Sequence, residues 1–121
     1  MRVLVIDDSR AMRMILRTTL AGLGHEVVEA GNGQQGLDSL ASQGPFDLAL
    51  VDWNMPVLNG YEFVQAVRRD PANAAMKLVM VTTEVEMSQV ARALEAGANE
   101  YVMKPFTREI LKEKIEMLAA A

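Results

Sequence analysis

The sequence predicts a single α/β domain over residues 1–121, with five parallel strands forming a sheet that helices cover on both faces. Two observations lead there. Short β-branched apolar runs alternate five times with stretches whose apolar residues fall at helical spacing. The length of 121 residues, half of them apolar, suits one compact core, and a domain of this size buries roughly 65% of its unfolded surface.

The elements follow in order. Val3-Leu4-Val5-Ile6 is an uninterrupted apolar run, as expected of a strand buried on both faces. Asp7-Asp8-Ser9 ends it, and Ser9 is placed to cap a helix carrying Met12, Ile15, Leu16, Leu20 and Leu23, with Gly24 as its stop. Glu26-Val27-Val28-Glu29 reads as the second strand, and Asn32-Gly33 opens a weaker helix carrying Leu37, Leu40 and Ala41. Leu48-Ala49-Leu50-Val51 is the third strand and runs into Asp52. A loop from Trp53 to Gly60 contains Pro56 and the turn pair Asn59-Gly60. Phe63, Val64 and Val67 mark the next helix, which stops before Asp70-Pro71. Leu78-Val79-Met80-Val81 ends at Thr82-Thr83, and Met87, Val90, Ala91 and Leu94 give the stripe of a helix stopped by Gly97. Tyr101-Val102-Met103 is a short last strand ending at Lys104-Pro105, and Leu111, Ile115 and Leu118 anchor a final helix that begins near Thr107.

Composition excludes several function classes. With 12 basic and 16 acidic side chains the net charge is −4, which argues against direct nucleic-acid binding. The absence of cysteine removes disulfides, thiol catalysis and thiolate metal sites. His25 is the single histidine, so His-rich metal sites are absent; it is expected at the start of a strand with no catalytic role. No apolar run approaches the roughly 18–20 residues of a membrane span, and no signal peptide is visible. A soluble, cytoplasmic domain without membrane contact is the expectation.

The polar residues fall where the strands end. The first strand ends in Asp7-Asp8, the third in Asp52, the fourth in Thr82 and the fifth in Lys104. Singly, each has an ordinary role: an acid beside a helix N-terminus, a turn residue, a surface lysine. In an open parallel sheet, however, ligands bind beyond the carboxyl ends of the strands, where the strand order reverses. In the order 2-1-3-4-5 that point lies between strands one and three, and the acidic ends become neighbours. Gathered carboxylates repel and need a cation. Hard oxygen donors without His or Cys nearby select Mg²⁺. With Lys104 as a second positive charge and Thr82 as a hydroxyl donor, the set has what phosphoryl transfer to a carboxylate requires: positioning and charge neutralisation.

The segments Val5-Ile6-Asp7-Asp8-Ser9, Leu50-Val51-Asp52-Trp53-Asn54-Met55-Pro56, Asn59-Gly60, Val81-Thr82-Thr83 and Tyr101-Val102-Met103-Lys104-Pro105-Phe106 together resemble the response-regulator receiver domains of two-component signalling. The resemblance runs essentially end to end and is greatest toward the single-domain chemotaxis regulators. It implies a flavodoxin-like doubly wound fold of strand order 2-1-3-4-5. It implies that Asp52 accepts a phosphoryl group from a phosphohistidine on a sensor histidine kinase of chemotaxis type. Asp8, Asp52 and the main-chain carbonyl of Asn54 would ligate Mg²⁺, with Asp7 acting through water and Lys104 contacting the phosphoryl group. The Lys104-Pro105 bond would be cis. Thr82 would then move toward the phosphoryl group and Tyr101 turn inward, altering a face over residues 86–118 read by a flagellar motor switch protein and a phosphatase. Asn54 and Glu84 flank the site and would tune hydrolysis. Such a protein is a monomeric switch, an enzyme only toward its own phosphorylation and dephosphorylation.

The chain departs from the family pattern at Asn59, where Asp is usual, and at Thr83, where a small residue is common; the second bears on access to the phosphate. Arg10, Arg13 and Arg17 line the first helix, either as a solvated face or as a kinase-docking stripe, and Lys114 on the last helix is a further candidate contact. The nine methionines are expected mainly in the core. Competing readings are a phosphorelay intermediate, a receiver excised from a larger regulator, a pseudo-receiver interaction domain, and a phosphatase with an aspartate nucleophile. The last places its nucleophile after the first strand in an Asp-x-Asp pattern, which this chain lacks.

Overall fold

The computed structural model describes residues 1–120, the side chains of Glu84 and Val85 excepted. Strands β1 (Arg2–Ile6), β2 (Glu26–Ala30), β3 (Leu48–Asp52), β4 (Lys77–Thr82) and β5 (Glu100–Met103) alternate with helices α1 (Arg10–Gly22), α2 (Gly33–Gln43), α3 (Gly60–Arg69), α4 (Val90–Ala96) and α5 (Arg108–Ala120). The sheet is parallel throughout, in the order β2-β1-β3-β4-β5.

Successive strand residues point to opposite faces, and the core divides accordingly. Leu4, Ile6, Ala49, Val51, Leu78 and Met80 pack with Phe63, Val64 and Val67 of α3 and Ala93 of α4. Val3, Val5, Leu48, Leu50, Val79, Val81 and Val102 pack on the other face with Leu16 and Leu20 of α1 and Leu111 and Ile115 of α5. Because both faces are covered, β3 is buried at every position, including Asp52.

The helix starts agree with the sequence signals. The side chains of Ser9, Asn32 and Asn59 accept from the main-chain N–H of Met12, Gln35 and Glu62 respectively. Asn59 also completes a capping box, since Glu62 reaches back to the Asn59 N–H. Asn at this position therefore does the work of the more usual Asp.

Two apolar stripes differ from expectation. Ile15 of α1 and Leu94 of α4 are exposed, and Ala91 faces solvent as well. The helix expected from Met87 opens instead as a 3-10 segment, Glu84–Gln89, and becomes α-helical only at Val90. A 3-10 turn takes 3.0 residues against 3.6, so a stripe counted from Met87 drifts out of phase. The buried residues are Val90 and Ala93. Among the methionines, Met55, Met76 and Met80 fill the core while Met14, Met103 and Met117 are exposed.

Candidate functional site

The parallel arrangement puts the ends of β1, β3, β4 and β5 along one edge. Asp7 and Asp8 follow β1, Asp52 ends β3, Thr82 ends β4 and Lys104 follows β5. Carboxylate oxygens of Asp7, Asp8 and Asp52 lie within 4.8 Å of one another. Lys104 Nζ donates to Asp52 Oδ1 at 3.1 Å and stands 3.5 Å from Asp7 Oδ2.

The backbone holds these groups in place. Asp7 Oδ1 accepts the Ser9 N–H at 2.8 Å, and the Asp7 carbonyl accepts Arg13 Nη1 at 2.7 Å. On the far side, Lys104 N–H donates to the Thr82 carbonyl, and the Lys104-Pro105 peptide is cis. Gly60 makes room for the acceptor strand: a Cβ there would lie 2.6 Å from the Asp52 carbonyl oxygen and 2.8 Å from Met80 Cε. Only glycine allows α3 to start so close to the end of β3.

Electrostatics follow from burial and crowding. Burial, then the neighbouring Asp7 carboxylate, lift the Asp52 carboxyl to about 6, against the opposing hydrogen bond and charge of Lys104; Asp8 adds to the rise. Burial alone would depress Lys104, but its hydrogen bond to Asp52 and the charges of Asp52 and Asp7 outweigh that and hold it above the ordinary lysine value. One lysine thus leaves a carboxylate cluster under-neutralised. Its donors are all oxygen, and His25 sits before β2, at the opposite end of the sheet. This donor set fits a hard divalent cation.

The remaining expected residues differ in placement. Asn54, expected to contribute its main-chain carbonyl, is exposed in the loop two residues beyond Asp52. The Thr82 hydroxyl is fully buried and bonds toward the segment after β4, with the Thr83 carbonyl at 3.3 Å and Glu86 Oε1 at 3.4 Å. Glu84 lies outside the described side chains. Tyr101 is half-buried on β5, with Lys114 Nζ 5.2 Å from its ring centroid. Lys114 is further held by Glu100 at 3.3 Å, so it is less free than its sequence position suggested. The arginine stripe is also partly occupied: Glu29 of β2 pairs with Arg13 at 3.3 Å and with Arg17 at 2.7 Å, and Arg10 alone of the three is without a pair among the described residues.

Residues the sequence reading missed include Arg13 as a brace for the Asp7 main chain, and Glu86. A glutamate three residues after Thr83 was the available signal, since that spacing is the one a helical-start carboxylate uses to reach back.

Comparison with known proteins agrees with this geometry. The family model described as "Response regulator receiver domain" matches residues 3–116. A chemotaxis protein CheY homolog of Campylobacter jejuni is 45% identical over 117 residues, covering 96% of this chain and 90% of its own. Chemotaxis protein CheY1 of Helicobacter pylori is 42% identical over 119 residues, covering 98% and 96%. Among solved structures, chemotaxis protein CheY4 of Vibrio cholerae superposes with a TM-score of 0.90 at 33% identity, covering 97% of each chain. A response regulator receiver domain protein of Clostridium thermocellum gives 0.89 at 25% identity, covering 97% and 92%. Strand order, the edge cluster and the match over nearly the whole chain converge: this chain belongs to the response regulator receiver domain family.

Proposed function

We propose that the chain is a phosphorylation-driven switch in which Asp52 is the phospho-acceptor, working in chemotaxis control of a flagellar motor. One observation carries the reading: Lys104 Nζ lies 3.1 Å from Asp52 Oδ1, beside two further carboxylates, at the edge where a parallel sheet binds ligands.

A phosphohistidine of a sensor kinase is the donor. An Asp52 carboxylate oxygen attacks phosphorus, the phosphorus–nitrogen bond breaks, and the electron pair leaves with the imidazole. Lys104 offsets charge on the phosphoryl oxygens, and burial of Asp52 limits competition from water. Asp8, Asp52 and the Asn54 carbonyl would hold Mg²⁺, with Asp7 acting through water; when bound, the ion would supply positive charge that offsets the gathered carboxylates and the incoming phosphoryl group. Phosphate on Asp52 draws the Thr82 hydroxyl, Tyr101 repacks, and the 86–118 face changes its affinity for a motor switch protein and a phosphatase. A monomer in the cytoplasm, turning over no external substrate, completes the proposal. Among the described residues no helix is long and apolar enough to cross a membrane.

The test is incubation with acetyl phosphate and Mg²⁺, read by intact mass. Wild type takes up one phosphoryl group and Asp52→Asn none; equal labelling of both, or continued turnover of phosphomonoesters, refutes the assignment. Binding of a motor-switch peptide with and without phosphate then separates motor control from a relay role.

A further inference from the structure

Glu86 gathers donors from the end of β4. Its Oε1 accepts the Thr83 main-chain N–H at 2.9 Å and the Thr83 hydroxyl at 3.0 Å, and it lies 3.4 Å from the Thr82 hydroxyl. The local backbone explains the arrangement. Thr83 is extended (φ −102°, ψ 168°) and the chain then enters 3-10 turns, closed by the Glu86 N–H on the Thr83 carbonyl at 3.1 Å. In a 3-10 turn residues i and i+3 lie one above the other, so Glu86 comes back over Thr83. Thr83, one of the two positions at which this chain departs from the family pattern, thereby seats a carboxylate against the Thr82 hydroxyl.

We infer that Glu86, seated by Thr83, is a latch on Thr82: a positioning residue that keeps the hydroxyl engaged in the unphosphorylated protein and so sets how readily the switch is thrown. The inference rests on the reading of Asp52 as acceptor and adds the residue that opposes it. Thr82 has a single hydroxyl proton. Its acceptors at rest are the Thr83 carbonyl and Glu86, and a phosphoryl oxygen on Asp52 must win that proton from them. The contacts at 3.3 and 3.4 Å are longer than ordinary O–H···O bonds, which cluster near 2.7–2.8 Å. The hold on Thr82 is weak while the seating on Thr83 is firm. A latch of this kind biases the equilibrium without locking it.

The probe is beryllofluoride with Mg²⁺, a non-covalent mimic of the phosphoryl group, titrated against the fluorescence of Trp53, the sole tryptophan. Glu86→Ala tightens its binding by about two- to threefold, the lower end of an ordinary hydrogen bond's value, as contacts this long imply, and Thr83→Ala gives a smaller gain in the same direction, because it removes the seating hydroxyl but keeps the main-chain N–H. Glu86→Gln falls between Glu86→Ala and wild type, since the amide oxygen still accepts from Thr83. In a Thr82→Val background the gain from Glu86→Ala disappears; a residue that merely capped the 3-10 segment would act alike in both backgrounds. Unchanged or weaker binding by Glu86→Ala and Thr83→Ala, both folded by circular dichroism, overturns the latch, as does a gain that survives in Thr82→Val. A wild type that takes up no phosphoryl group from acetyl phosphate overturns the acceptor reading and the latch with it. Normal uptake with an inert Glu86→Ala overturns the latch alone.

Discussion

Replacing Asp52 with Asn should stabilise the metal-free protein while abolishing phosphorylation. The Asp52 carboxyl titrates at about 6 in the fold, against an unperturbed value of 3.8. The folded state therefore prefers the protonated carboxyl more strongly than the unfolded state does. Between 3.8 and 6 the folded protein binds the extra proton, so stability falls as pH rises through that window and the loss is complete above it. The shift of about 2 units corresponds to ~3 kcal/mol at pH 7.5. Asn resembles the neutral carboxyl in shape and leaves Lys104 an acceptor, so the variant escapes this cost. With a urea m-value of about 2 kcal/mol/M, the midpoint should rise by roughly 1.5 M.

The assay is urea unfolding in EDTA, followed by Trp53 fluorescence and far-ultraviolet circular dichroism. At pH 5 the gap between Asp52→Asn and wild type should shrink to roughly half, and it should close below the unfolded value. Mg²⁺ should narrow the gap at pH 7.5, since it binds the wild-type cluster better; at a hundred times the dissociation constant it contributes about 2.7 kcal/mol. A variant less stable than wild type, or a gap indifferent to pH, refutes the account of Asp52 as a carboxylate ionised against burial and Asp7.

Three further changes probe the surroundings of the site. Lys104→Ala removes the cation 3.1 Å from Asp52, so the Asp52 titration seen by carboxyl NMR moves further up and uptake from acetyl phosphate slows on the order of a hundredfold. Gly60→Ala drives a Cβ against the Asp52 carbonyl, and urea unfolding should show a loss of about 2 kcal/mol, accompanied by weaker Mg²⁺ binding. Val57 sits at φ +69°, a conformation costly for a β-branched residue, in a tight turn where Leu58 N–H meets the Pro56 carbonyl; Val57→Gly should raise stability by about 1 kcal/mol, read as a thermal midpoint higher by a few degrees.

The strands and the edge cluster were legible because both depend on local patterns. A strand buried on two faces must be apolar along its length, so Val3–Ile6 and Leu48–Val51 announce themselves. In a parallel sheet all strand ends lie on one edge, so the residues following each run become neighbours once the order is known. Asp7, Asp8, Asp52 and Lys104 met for that reason, across as many as 97 residues. Ser9 was equally readable as a cap, since it acts within three residues of itself, whereas Asn32 and Asn59, read as a helix opening and a turn residue, prove to cap α2 and α3 in the same way.

What escaped depends on helical phase or on acceptors supplied by distant backbone. Leu94 was misplaced because the turns before α4 are 3-10, and no side-chain pattern marks where the winding changes. Arg68 is the clearest case of the second kind. It reads as one of two basic residues closing α3, yet its guanidinium donates to the carbonyls of Gly97, Asn73 and Met76 and to Asn99 Oδ1. Those acceptors belong to the segment before β4 and the turn after α4, and carbonyl oxygens carry no sequence signature. The same Arg68 side chain fills the space where a Cβ at Gly97 would project, which, with φ +124° there, makes glycine necessary at the end of α4. Arg68 thus ties the C-terminal end of α4 to the segment before β4, across tens of residues, while Glu86 at the approach to its N-terminal end bonds Thr83, three residues away. The two ends are fastened differently, one to a distant segment and one within its own turn, and the locally fastened end is beside Thr82, where a phosphoryl group on Asp52 would act.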